Sequence, residues 1–304
     1  MKQNQLGKSG ISISPLTLGC MSLGTDLNQA KNMIDIAIDR GITHLDTADL
    51  YDFGTNEEIV GKAIKGKRDQ VVLTTKVGNH FNKKTEDWYW DPSAKHITEG
   101  VKDSLRRLQT DYIDFYMLHG GTIDDPIDES IEAFERLKDE GYIRSYGISS
   151  IRPNVIREYV KRSTIDAVMM QYSILDRRPE EEVLDLLHAN GISVLARGPL
   201  AKGMLSNQAK HKIEEKGQEG YLNHSYNDLQ NYYNTLANIS SEEGMQEIAL
   251  QYVLKHPAVA SAVFGASSVG QVKANTSLSL DELANDTYLE IQQSIKPIQY
   301  VNHR

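Results

Sequence analysis

Residues 41–66 read GITHLDTADLYDFGTNEEIVGKAIKG. A short apolar run over 43–46 gives way to a polar stretch, and an apolar pattern of helical spacing then runs over 56–65 until Gly66, where glycine can release the chain into a left-handed turn. This is one strand–loop–helix unit, and it recurs. Strand-like runs lie at 16–19, 43–46, 71–77, 112–118, 143–149, 167–172, 193–196 and 260–264. Helix-like stretches lie at 28–40, 56–65, 93–108, 128–140, from Pro153 onward, 180–190, 241–255 and 270–278. Several strand runs are almost continuously apolar, as parallel strands covered on both faces must be. Eight such units with right-handed crossovers admit an open doubly wound sheet or a closed barrel, and the count favours an α/β fold of (β/α)8 TIM-barrel type. The expected organisation is one barrel domain over residues 1–304.

Three segments fall outside the repeat. Residues 6–15 alternate apolar and polar side chains around Gly7 and Gly10, which predicts an N-terminal β-hairpin across the barrel floor. Residues 206–240 are polar, with tyrosines at 221, 226, 232 and 233, too long for a plain connection. They read as a solvated insertion or as a lid, since the segment leaves the seventh strand at the face where barrel active sites lie. Residues 281–304 are expected to add a C-terminal helix.

Composition narrows the function classes. With 42 acidic against 33 basic residues the formal charge is −9, so long-range attraction to phosphate backbones is absent and nucleic acid is an unfavoured partner. The single cysteine, Cys20, makes neither an internal disulfide nor a thiolate metal site. This suits a cytoplasmic setting. No apolar run is long enough for a membrane span, no export signal is visible, and no metal-ligand spacing stands out.

In a barrel, chemistry is sought where strands end and the following loops begin. Four polar residues meet that condition on consecutive strands: Asp46, Tyr51 in the next loop, Lys76 and His119. A phenol with a pKa of about 10 delivers protons poorly at neutral pH unless a cation stands beside it. Lys76 can be that cation, and Asp46 can hold the buried amine charged. His119 can direct a carbonyl oxygen towards the tyrosine hydroxyl. Taken one at a time, each residue is as readily a structural hydrogen-bonder.

Several motifs in order carry a family likeness. The segment GITHLDTADLYDFGTNEEIVGKAI with Asp46 and Tyr51, TTKVG with Lys76, and YMLHG with His119 resemble the signatures of the aldo-keto reductases. GISS, MMQYS, ARGPLAKGML and VFGASSVGQVKAN resemble that family's cofactor-binding segments. The resemblance spans nearly the whole chain. It implies a (β/α)8 barrel that binds NADPH (NADP+) across its C-terminal face, with NADH use open, and reduces a small carbonyl compound while Tyr51 gives the proton. It also implies that Gly19, Cys20, Met21 and Asp46 edge the cofactor, that Ser149 and Gln171 hold the nicotinamide carboxamide, that Gly198, Pro199, Leu200, Ala201, Lys202 and Gly203 line the pyrophosphate, and that Gly265, Ser267, Gln271 and Asn275 surround the adenosine.

The chain departs from the family at three places. Ser150 stands where Asn is frequent, and Arg197 stands where many members stack an aromatic ring on the nicotinamide. A positive charge there would favour the reduced, neutral ring over the oxidised cation. Ser267 and Gln271 are neutral where NADPH-preferring members carry basic residues, leaving Lys273 as the nearest cation or as a solvated helix residue. On the substrate side, Trp88, Tyr89 and Trp90 wall an apolar pocket or pack on the barrel rim. Arg177 and Arg178 meet an acidic substrate or pair with Glu180, Glu181 or Glu182, and Cys20 is packing or a reactive thiol. Two other functions compete with the reductase: a Schiff-base lyase or aldolase using Lys76, and a nicotinamide-binding redox sensor with little turnover. The oligomeric state is not legible.

Overall fold

The computed structural model describes residues 1–304 apart from the side chains of residues 241–243. Eight parallel strands close into a barrel: β3 (Leu16–Gly19), β4 (His44–Asp46), β5 (Val72–Val77), β8 (Ile113–Leu118), β9 (Ile143–Ser149), β10 (Ala167–Gln171), β11 (Ser193–Arg197) and β12 (Val259–Gly265). Each pairs with its neighbours in chain order, and β12 returns to β3, with Phe264 opposite Leu18. The helices α1 (Leu27–Asp39), α2 (Thr55–Ala63), α3 (Ala94–Leu108), α4 (Ile127–Asp139), α5 (Pro153–Arg162), α6 (Val183–Ala189), α8 (Tyr226–Leu254) and α9 (Val269–Thr276) follow the strands and bury their apolar stripes between strand and helix layers. Barrel and crossovers thus match the reading from residues 41–66, with element ends shifted by a residue or two except at the starts of α6 and α8. The stretch 180–190 divides into a short 3-10 turn, Arg178–Glu181, and α6.

The N-terminal hairpin is shorter than its alternation suggested: β1 (Asn4–Gln5) and β2 (Ser12–Ile13) pair antiparallel. Its Leu6 and Ile13 enter a second apolar cluster with Phe115, Met117, Met169 and Leu195 inside the barrel. Gly7 has φ +56, and an added Cβ would stand 2.1 Å from the Asp166 carbonyl oxygen, so only glycine lets the turn close on the floor.

Two segments to which no element was assigned contain structure. Residues 206–240 hold α7 (Ala209–Lys216) and the first half of α8, which runs unbroken for 29 residues instead of starting at 241. A capping box starts it: the Ser225 hydroxyl accepts the Asp228 N–H, and the Asp228 carboxylate accepts the Ser225 N–H. Residues 79–90 form a second hairpin, β6 (Asn79–Asn82) with β7 (Asp87–Trp90), beside the barrel mouth. The C-terminal helix is α10 (Asn285–Ser294); beyond it the chain runs back until the His303 carbonyl accepts the Asn154 N–H. Among the described residues no helix is long and apolar enough to cross a membrane.

Candidate active site

A groove of about 1540 Å³ crosses the end of the barrel at which the strands finish. At its floor sits Lys76, fully buried on β5. Its Nζ lies 2.8 Å from Asp46 Oδ1, donates to the Thr47 carbonyl at 2.7 Å, and donates to the Tyr51 hydroxyl at 3.3 Å. All three ammonium protons therefore have a partner. Burial alone drives the amine towards neutrality, but Asp46 and Tyr51 outweigh it and hold the Lys76 pKa above that of a free lysine. The charge stays on.

Tyr51 is held by its turn. The Tyr51 N–H bonds to the Ala48 carbonyl, and Asp52, Phe53 and Gly54 follow with φ of 48, 49 and 86. Asp52 and Phe53, both non-glycine residues in the left-handed region, are costly there, so their surroundings must enforce them. The first turn of α2 does so from below: Asn56 accepts from the Thr47 hydroxyl and donates to the Cys20 carbonyl, while Glu57 accepts from Thr75 and Arg107. Asp49 is also buried, and burial and then Glu57 push its pKa well above the usual carboxylate range. Sequence reasoning passed over this support, although NEE directly after a strand-end loop marks polar groups on the inward turn of a helix.

His119 completes the floor. Its ring meets Tyr51 edge-on with centroids 5.9 Å apart. Burial, then the charges of Lys76 and Arg197, pull its pKa down to about 3, so the imidazole is neutral at pH 7.

One arm of the groove runs from this floor past Gly19, Met21, Ser149, Arg197, Gly198, Pro199, Leu200, Lys202, Gly203, Gly265, Ser267, Gln271 and Asn275, all of which line it. Three of the residues expected along this arm, Cys20, Ala201 and Gln171, do not line it. Cys20 is buried behind Gly19, where burial pushes its thiol pKa up, so it packs and is not a reactive thiolate. Ala201 is buried beneath its loop. Gln171 sits just behind the lining, with its amide taken: Nε2 donates to the Tyr221 hydroxyl at 3.1 Å, and Oε1 accepts from Arg197 at 3.4 Å. Lys273 is exposed outside the groove, as a solvated helix residue. In its place come Ser206, Asn207, Gln208, Lys212 and Lys216 from residues 206–240, together with Gln246 of α8. Gln246 accepts the Asn207 N–H and donates to Asn275.

The other arm is lined by Trp88, Trp90, Asn79, Gly120, Arg152 and His303. Trp90 donates to Asp125 and lies over Gly78, where a Cβ would come within 2.6 Å of its ring. Tyr89 does not line this arm. Strand alternation turns it to the other face of the hairpin, where it stacks on His80 at 4.8 Å. Arg177 and Arg178 are also outside the groove: Arg177 pairs with Glu180 and donates to the carbonyls of Gln292 and Ile295, and Arg178 pairs with Asp176.

The comparisons with known proteins agree with this geometry. The chain is 51% identical over 306 residues to the uncharacterized oxidoreductase YqkF of Bacillus subtilis (strain 168), covering 100% of both chains. It is 33% identical to the NADH-specific methylglyoxal reductase of Escherichia coli (strain K12), covering 90% of this chain and 92% of that one. Among solved structures, the holo form of aldo-keto reductase AKR11C1 from Bacillus halodurans superposes with a TM-score of 0.95 at 54% identity, covering 100% of this chain and 99% of that one. The model of the aldo/keto reductase family matches residues 15–296. Barrel, motifs and relatives converge, and the chain belongs to the aldo-keto reductase family of oxidoreductases.

Proposed function

We propose that the protein reduces an aldehyde or ketone to its alcohol at the expense of NADPH, with Tyr51 as the proton donor. The observation that carries this reading is the Lys76 ammonium, held between the Asp46 carboxylate and the Tyr51 hydroxyl at the bottom of a groove of about 1540 Å³.

The residues present suit such a cofactor. Ser149 offers a hydroxyl beside the floor, the loop after β11 brings Gly198, Gly203 and the cation Lys202 to the middle of the long arm, and Lys212 and Lys216 add positive charge there. The bound nicotinamide supplies hydride to the carbonyl carbon. The chain's own groups serve the oxygen. Neutral His119 donates a hydrogen bond to the carbonyl without adding charge, Tyr51 transfers its hydroxyl proton as negative charge develops, and Lys76 steadies the phenolate left behind. Trp88 and Trp90 enclose the carbonyl compound and limit access of water.

The choice of NADPH over NADH rests on the family resemblance, since Ser267 and Gln271 of the lining are neutral, and the E. coli relative is named for NADH. A lyase using Lys76 would need a free amine lone pair. Here every proton of the ammonium is engaged. Titration of NADPH fluorescence followed by a panel of carbonyl compounds at fixed enzyme tests the reading. Turnover supports it, tight binding without turnover favours a sensor, and borohydride trapping of substrate on Lys76 would reverse it.

A further inference from the structure

The hairpin beside the mouth has two faces. Asn79, Trp88 and Trp90 face the groove, and the alternate positions His80 and Tyr89, paired across the strands, face away from it. On that second face three ligating side chains from three different elements come together: His80 of β6, Asp91 just past the end of β7, and His96 in the first turn of α3. One ligand atom from each lies within 4.8 Å of the other two. His80 Nδ1 stands 3.5 Å from Asp91 Oδ2. The His80 and His96 rings are 4.8 Å apart and nearly parallel. His96 Nε2 is sealed from solvent with no hydrogen-bond partner. The Asp91 carboxylate is already oriented, because its Oδ1 accepts the N–H of Ser93, the residue that caps α3.

We propose that His80, Asp91 and His96 form a site for one divalent cation of the zinc class, and that the ion ties the hairpin to α3. Two imidazoles and a carboxylate are the donor set for borderline first-row metals, with water completing the coordination. Bonds of about 2.0–2.1 Å in a tetrahedral site place the donor atoms roughly 3.3 Å apart. The pair from His80 and Asp91 is already at that spacing. Closing on His96 takes a movement of up to about 1.5 Å and a turn of the His80 ring, so that its in-plane lone pair points at the ion instead of running beside its neighbour. The His80 side chain is 48% exposed and has room to turn. The ion's effect falls on the mouth, since Trp90 adjoins Asp91 and Trp88 lies on the same strand.

The test uses the full-length, tag-free protein after chelation and desalting. Zn2+ is titrated by calorimetry and, in parallel, by tryptophan emission. The chain's two tryptophans, Trp88 and Trp90, both lie on this hairpin, so emission reports on this element alone. Co2+ then reports coordination through its visible absorption. One equivalent of Zn2+ should bind and change the emission. Loss of a second-sphere partner already costs about 10–100-fold in metal affinity, so His80→Ala and His96→Ala should each weaken binding by at least that much. His80→Ala alters an exposed side chain and keeps the fold, which makes it the decisive variant should His96→Ala fail to fold. Absence of saturable binding, or equal affinity in His80→Ala, overturns the site and leaves a purely structural stack of Tyr89, His80 and His96. Neither result bears on carbonyl reduction.

Discussion

The Lys76 ammonium lies 3.3 Å from the Tyr51 hydroxyl, and its contacts with Asp46 and the Thr47 carbonyl leave it no other partner to turn to. The phenol therefore has a fixed cation beside it whether or not anything is bound. Tyr51→Phe should lower carbonyl reduction by about 10²–10⁴-fold, while NADPH affinity, read by fluorescence, stays within roughly twofold. Substantial residual kcat would remove Tyr51 from the proton-donor role.

Lys76→Met strands the Asp46 carboxylate in the interior and should cost about 3–5 kcal/mol in stability, whereas the double variant Lys76→Met with Asp46→Asn should recover much of that loss. Urea denaturation of the two proteins decides it. Equal destabilisation would mean that the pair is not coupled.

Two histidines tie the barrel to pH. His44, bonded between the Thr17 and Thr74 hydroxyls, and His119 are both held neutral with pKa of about 3, chiefly by burial and then by Lys76. An unfolded chain protonates each near pH 6.5. The unfolded state thus gains protons first as pH falls, so stability is complete above about 6.5 and declines towards 3 by about 1.4 kcal/mol per pH unit for each histidine. Between pH 6.5 and 5 the loss should reach roughly 3 kcal/mol for the two together. His44→Asn should remove one proton's share of that slope in denaturation curves; an unchanged slope would refute the assignment.

Tyr221 accepts a hydrogen bond from the Gln171 amide, which stands next to the groove residues Arg197 and Gly198. Tyr221→Phe removes this hydrogen bond and should weaken NADPH binding by about two- to tenfold with kcat little altered. Titration by protein-to-NADPH energy transfer measures it. A fall in kcat at unchanged affinity would contradict a role in orienting the cofactor.

Arg197 lines the long arm close to the floor and is exposed. Its positive charge should repel an oxidised nicotinamide, so Arg197→Tyr should shift the ratio of NADP+ to NADPH affinity by about three- to tenfold towards the oxidised form, less at high salt. Competition titrations with the two forms read the ratio directly.

The barrel was legible because its strands and helices write their periods in apolar residues, which no distant contact has to complete. Asp46, Tyr51, Lys76 and His119 were legible because they sit at strand ends. The hairpin of β6 and β7 was hidden by its polar turn, NKKTED, although Trp88 and Trp90 two residues apart already had the period of a strand. The early start of α8 was hidden by asparagine-rich composition, with only the Ser225 and Asp228 pair to mark it. The ties of Gln171 to Tyr221 and of Gln246 to Asn275 join residues 50 and 29 positions apart, which no local pattern specifies.

Gln246 has one further consequence. Its carbonyl end accepts from Asn207 on one bank of the groove and its amino end donates to Asn275 on the other. The side chain, itself buried, thus ties the segment after β11 to α9 within the wall of the groove. One buried amide thereby joins the seventh and eighth strand–helix units, so that a change in either lining segment is felt by the other.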